Sequence, residues 1–339
     1  MTLVEKLVRE YSPSGQEAEA VKLFLNALAE KGFETECDLA GNAIARIGQG
    51  EIHIALVGHI DTVPGNLPIR VEDGILYGRG SVDAKGCLAA FSEAAAQFAD
   101  SDKIKLTVVG CVREETDSYG AYYLQDTLYP PDFVIIGEPS GWDGITLGYR
   151  GAMSLEYQFE GSRHHHGAPE LTAAEEAVHF YQSIQNRYPE LGAHFTMPDL
   201  RIGELNTYEV KGQVGVKMKL DMRTPPEFNF SEFENMCGKY QNGANLKFGK
   251  AIPAVLTNKQ NPLVRSFLGA IRSKEGTPRF KRKTGTADMN ILAKWGCPIV
   301  AYGPGDSALD HTVNEHLYLA EYEQSIKVLT NVLEKLESI

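Results

Sequence analysis

Ile54-Ala55-Leu56-Val57-Gly58-His59-Ile60-Asp61 is a short apolar run that ends in an imidazole and a carboxylate two positions apart. Its length, and its bounding by glycine and charge, predict a strand buried on both faces. Alternate residues of a strand face the same way, so His59 and Asp61 can point into one site, either as two ligands or as a ligand and the group that orients it. The pattern recurs. Leu106-Thr107-Val108-Val109 leads to Glu114-Glu115, Phe133-Val134-Ile135-Ile136-Gly137 ends in Glu138, and Pro298-Ile299-Val300-Ala301-Tyr302 leads towards His311. Four buried strands that each run out into a residue able to bind hard or borderline metal ions predict an open α/β sheet. Ligands of such sheets gather beyond the carboxyl ends of the strands.

Working outward, residues 2–31 have helical apolar spacing, with a break at Ser12-Pro13-Ser14-Gly15. Strands and helices then alternate as far as Gly148, and the alanine-rich segment 85–98 is expected to pack as a helix directly behind Asp83. This is the pattern of a doubly wound, mainly parallel sheet. From about Gly151 the texture changes. Residues 154–159, 199–208 and 213–223 alternate like half-exposed strands, 171–188 and 230–240 read as helices, and 245–256 as a last strand. Strand-helix-strand-strand-helix-strand is the split βαβ order of a ferredoxin-like α+β domain. Pro262 opens another helix, patterns of the first type resume, and a helix near 320–336 closes the chain. The expected parse is a discontinuous α/β catalytic domain, 1–150 and 260–339, carrying an inserted domain at 151–259.

At 339 residues the chain exceeds one typical domain, consistent with that division. A formal charge of −12 disfavours nucleic acid and anionic membrane, because phosphate-tracking surfaces need a net basic face. The local exception is Arg279-Phe280-Lys281-Arg282-Lys283. Five dispersed cysteines with no Cys-x-x-Cys pair suggest neither a disulfide framework nor a zinc knuckle. With a charged amphipathic start and no apolar run of membrane length, a cytoplasmic protein with reduced thiols is expected.

Asp83 lies in Gly78-Arg79-Gly80-Ser81-Val82-Asp83-Ala84-Lys85-Gly86, a turn whose glycines admit unusual backbone geometry and could thrust a carboxylate toward a metal. The same turn could instead cradle a phosphate, or use Asp83 as a helix cap. In Glu114-Glu115 the neighbouring side chains diverge, so one can ligate while the other handles a proton; a solvated loop explains such a pair equally. Glu138, before Pro139, has the same two readings. His311 could be an ordinary loop histidine, yet Gly303-Pro304-Gly305-Asp306 ahead of it has the character of a shaped site loop.

Taken in order, Gly58-His59-Ile60-Asp61-Thr62-Val63-Pro64, the Gly78 to Gly86 turn, Glu114-Glu115-Thr116, Gly137-Glu138-Pro139-Ser140, Gly285-Thr286-Ala287-Asp288 and Gly303-Pro304-Gly305 with His311 resemble the zinc deacylase and exopeptidase family of acetylornithine deacetylase and succinyl-diaminopimelate desuccinylase. The resemblance spans the chain. It implies two divalent ions, zinc first, with cobalt or manganese acceptable to the same nitrogen and carboxylate donors. Asp83 would bridge them, His59 and Glu138 would complete one, and Glu115 and His311 the other. Asp61 would hold the His59 ring, and Glu114 would act as general base. The family also places a cis peptide after the bridging aspartate, here Asp83-Ala84.

The resemblance further makes the inserted domain a lid and dimerisation domain and the protein a homodimer. In Gly161-Ser162-Arg163-His164-His165-His166-Gly167-Ala168-Pro169 the lid histidine stands four residues before the proline, which points to His165; His164 or His166 could substitute. Arg223 resembles the arginine that grips a substrate α-carboxylate, with Asn206 and Thr286 as further pocket groups. On the residues alone, Arg223 reads as a strand-end charge and Asn206 as a turn residue. The implied reaction is hydrolysis of an amide on the α-amino group of an amino acid. Lys281-Arg282-Lys283-Thr284-Gly285-Thr286-Ala287-Asp288-Met289-Asn290 and the His311 segment look most like the lysine-biosynthesis branch, whose members release lysine or ornithine from a small acidic amino-group carrier protein. The basic run at 281–283 could dock such a carrier by charge complementarity, or simply solvate a strand end. Acetylornithine or acetyl-lysine deacetylase and dipeptidase share every ligand. A metal-free binding module is the alternative of a different class.

Overall fold

The four apolar runs form the parallel centre of one sheet. Strands Ile104–Cys111, Ile52–His59, Phe133–Gly137 and Ile299–Tyr302 are hydrogen-bonded neighbours in that order. The architecture is that of a computed structural model, which describes residues 1–163, 165, 167, 169–188 and 194–339. From Ile52–His59 the chain moves to Ile104–Cys111 on one side, then crosses back to Phe133–Gly137 on the other. Between Ile52–His59 and Phe133–Gly137 the strand order therefore reverses, and such a reversal opens a crevice at the carboxyl ends. Gly58 pairs with Gly137, so His59 and Glu138 leave the sheet from the same rung. Antiparallel strands Ala43–Ile47 and Glu34–Cys37 extend one edge, and Gly144–Tyr149 joins beyond Ile299–Tyr302.

Gly58, Gly110 and Gly137 share one rung across three parallel strands, and helix Lys85–Ala95 lies on them. A Cβ on Gly137 would stand 3.0 Å from Phe91 Cε2 and 3.1 Å from Gly58 Cα. The side-chain-free row thus seats the helix close against the sheet, with Asp83, two residues ahead of it, over the strand ends. All of Lys85–Ala95 except Glu93 is buried, between the sheet and helix Leu319–Leu336, as an alanine-rich helix apolar on every side requires. Gly137→Ala is expected to destabilise the fold by about 1–3 kcal/mol through overpacking. A lower urea midpoint checks this, and an unchanged midpoint would show that the helix can retreat.

Two compact units are present: 1–148 with 257–282 and 287–339, and 149–256 with 283–286. The second has the order Gly151–Ser162, Ala173–Gln185, Asp199–Val210, Gln213–Thr224, Phe230–Tyr240, Asn245–Phe248. Its antiparallel sheet runs Asp199–Val210, Gln213–Thr224, Gly151–Ser162, Asn245–Phe248 across, the ferredoxin-like arrangement expected from the alternation. Val216, Met218, Leu220 and Met222 point inward with Phe180 and Phe233. Thr172 and Asn229 cap the two helices.

Two details depart from the sequence reading. The strand expected over 245–256 is two pieces, Asn245–Phe248 and Val255–Leu256. Gly249 lies against Ser154, and Pro253 brings no N–H to a ladder. Residues 283–286, expected with the first domain, cluster with the second, where Arg150 N donates to Lys283 O at 3.3 Å and Arg223 Nη1 to Thr286 Oγ1 at 2.9 Å. Among the described residues no helix is long and apolar enough to cross a membrane.

Candidate metal centre

Asp83 sits at the end of the glycine-rich turn, and the bond to Ala84 is cis. Ala84, not Asp83, is the capping residue of helix Lys85–Ala95, so the carboxylate is not used as a helix cap. Each of its oxygens faces an imidazole: Oδ1 lies 3.0 Å from His59 Nε2 and Oδ2 lies 3.1 Å from His311 Nε2. His311 Nε2 is also 3.0 Å from Glu115 Oε2. Donor atoms of His59, Asp83 and Glu115 all lie within 4.8 Å of one another. Donors around a tetrahedral ion with bonds of about 2.0–2.1 Å stand roughly 3.3 Å apart, close to the spacings here. Glu115 Oε1 is buried with no hydrogen-bond partner, a lone pair set aside for something else. Imidazole nitrogens, carboxylate oxygens and that orphaned atom fit divalent cations.

The electrostatics say the same. Burial works against the Asp83 charge, but the hydrogen bonds from His311 and His59 outweigh it and hold the carboxyl well below the usual carboxylate range. Burial would lower His59, yet Asp61, Asp83 and Glu114 raise it well above an ordinary histidine. His311 is pushed up to about 10 by its bonds to Asp83 and Glu115. The pocket of negative charge thus calls for positive charge between these groups. Glu114 is close enough to help raise His59, and burial first, then Glu138, Asp288 and Glu115, raise its own carboxyl well above the usual range against the opposing effect of His59. Glu138, at the end of Phe133–Gly137, is one of those charges, and so is Asp288, itself pushed up to about 7 by burial and by Asp61.

Asp61 does more than orient an imidazole. His59 Nδ1 donates to the Asp61 main-chain carbonyl at 3.0 Å, while the Asp61 carboxylate stands 3.5 Å from that nitrogen. That carboxylate instead accepts from Glu114 N at 3.1 Å, Glu115 N at 3.2 Å and Ser14 Oγ at 2.6 Å. It therefore holds the turn that presents both glutamates. Asp61→Asn would set an amide donor against one of these donors, and ion affinity or turnover is expected to fall about 10–100-fold. Elemental analysis with steady-state kinetics checks this, and wild-type values in both would remove that role.

Sequence reasoning misses Ser14 and Asp288. Ser14 carries only a break signal there, and Asp288 stands in a motif whose threonine is the more obvious pocket group; both matter through partners far along the chain. Of the expected substrate-side residues, an exposed Arg223 and a half-buried Thr286 come together in the second unit. Asn206 is exposed on Asp199–Val210 and donates to Glu204. His165 is exposed, its Nδ1 accepting from Gly167 N at 3.3 Å. His164 and His166 lie outside the described residues.

Comparison with known proteins agrees. Residues 55–335 match the model of peptidase family M20/M25/M40. A Thermococcus kodakarensis protein, provisionally named a LysW-lysine/LysW-ornithine hydrolase, is 42% identical over 336 residues, 98% of this chain and 91% of its own. The LysW-lysine hydrolase of Deinococcus radiodurans is 38% identical over 98% of this chain and 96% of its own. Among solved structures, a tripeptidase from Staphylococcus aureus shares the fold at a TM-score of 0.83, with 18% identity over 99% of this chain and 97% of that one. The chain belongs to peptidase family M20/M25/M40 and is a hydrolase.

Proposed function

We propose that the protein hydrolyses the amide on the α-amino group of lysine or ornithine carried by a small acidic protein, releasing the free amino acid. The observation that carries the reading is one buried aspartate, Asp83, facing two imidazoles, with the carboxyl of Glu114 close enough to His59 to raise that imidazole's pKa. The substrate follows the names of relatives such as the LysW-lysine hydrolase, which align with nearly the whole chain. In the metal-loaded protein Asp83 would bridge two divalent ions, zinc before cobalt or manganese, with His59 and Glu138 on one and Glu115 and His311 on the other. When bound, the ions polarise the scissile carbonyl and lower the pKa of water.

The chain's own groups supply the rest. Glu114 takes the proton of the attacking water and hands it to the departing amine as the carbon–nitrogen bond breaks. Asp61 and Ser14 keep Glu114 and Glu115 in place. Arg223, hydrogen-bonded to Thr286, offers its planar fork to the α-carboxylate of the substrate, with Asn206 as a further pocket group and His165 steadying the oxyanion. In this reading the second unit serves as lid and dimerisation domain of a cytoplasmic homodimer.

Turnover of carrier-linked lysine, carrier-linked ornithine, acetyl-lysine and acetylornithine is the decisive comparison. Carrier-linked amides are expected to have the highest kcat/KM. Equal turnover of the acetyl amides would replace the carrier with a small-molecule substrate, and cleavage of dipeptides alone would make the protein a dipeptidase. Strand Arg279–Lys283 carries the basic run. Changing Lys281, Arg282 and Lys283 together to glutamate is expected to weaken turnover of carrier-linked lysine far more than that of acetyl-lysine. Equal losses on both would remove the docking role.

A further inference from the structure

A small antiparallel sheet links the two stretches of chain that meet at Asp83. Strand Ile75–Tyr77 leads into the glycine-rich turn, and strand His316–Tyr318 follows the His311 segment; they pair with His316 opposite Tyr77. Gly78 N donates to Glu315 O at 3.3 Å, so the pairing continues to the residue that begins the turn. Glu315 is thereby carried under the turn, with its side chain fully buried. Its Oε1 accepts from Val82 N at 3.0 Å and from Asp83 N at 3.2 Å. Its Oε2 binds Arg79 Nη1 at 2.8 Å, and Arg79 Nε in turn donates to Gly65 O at 3.1 Å.

A buried ion pair by itself is weak evidence of a stabilising role, because desolvation offsets most of the attraction. What distinguishes this one is its geometry. The carboxylate is satisfied by three donors, two of them consecutive amides, one being that of Asp83 itself. Removing it would leave both amides buried and unpaired, free to turn away in search of other partners. We infer that Glu315 is a positioning residue of the metal centre: by gripping the Val82 and Asp83 amides it aims the two oxygens of Asp83, and by lying four residues after His311 it ties that imidazole to the same frame. The inference rests on the two-ion reading above.

The test measures zinc stoichiometry and affinity by competition with a chelator, and kcat and KM on acetyl-lysine. Circular dichroism and melting of the ion-free proteins follow folding. Glu315→Ala is expected to weaken ion binding about 10–100-fold and to lower kcat with little change in KM. Glu315→Gln keeps a carbonyl acceptor for the two amides and is expected to recover most of that affinity. A folded alanine variant with wild-type affinity and kcat overturns the inference. Should alanine prevent folding, Glu315→Asp decides: it keeps the charge but shortens the reach by one methylene. Weaker zinc binding at an unchanged ion-free melting temperature then supports the role, and wild-type affinity overturns it. Failure of the unaltered protein to bind two ions would sink the two-ion reading itself, a result read before any variant is made.

Discussion

Replacing Glu114 by glutamine is expected to lower turnover by ~10²–10⁴-fold while leaving ion content at the wild-type level. The separation of the two effects follows from geometry. Asp83, His59, His311 and Glu115 converge on one another through their side-chain donors, whereas Glu114 is held through its backbone amide by Asp61. Glutamine keeps the shape and the backbone contact and removes the ability to take a proton. The carboxyl it replaces is held above its ordinary range by burial and by Glu138, Asp288 and Glu115. Steady-state kinetics paired with elemental analysis reads both quantities. Wild-type turnover would exclude Glu114 as the base, and loss of an ion would make it a ligand instead.

Asp83→Ala is expected to act more severely, removing tight binding of both ions and taking turnover below that of the Glu114 variant. A single substitution can do this because both Asp83 oxygens are engaged, one with each imidazole. Replacing Glu138 or Glu115, which stand on one side each in the proposed arrangement, should release one ion and spare the other. Elemental analysis of the three variants distinguishes the cases. Two ions retained without Asp83 would mean that it does not bridge.

Much of the fold and of the site is legible in the order of residues alone. The four central strands stand out as apolar runs because a parallel strand covered on both faces admits few polar residues, and those only when partnered, as Thr107 is with His53. His59, Glu115, Glu138 and His311 are conspicuous because each follows one of those runs. The ferredoxin-like unit is legible in Val214, Val216, Met218, Leu220 and Met222, since a sheet with one wet face alternates. The break of strand 245–256 is less legible, because the close approach of Gly249 to Ser154 joins segments far apart in the chain.

Sequence alone therefore determined the kinds of group available, the class of sheet that carries them and the end at which they collect, because burial and periodicity are local properties of a chain. Only the tertiary structure decided which atoms meet. Asp61 serves two backbone amides more than fifty residues away, and Glu315 grips a turn more than two hundred residues earlier. Such hydrogen bonds leave no periodic trace, since either partner alone is an ordinary polar residue or an anonymous amide, and only register and packing bring them within reach.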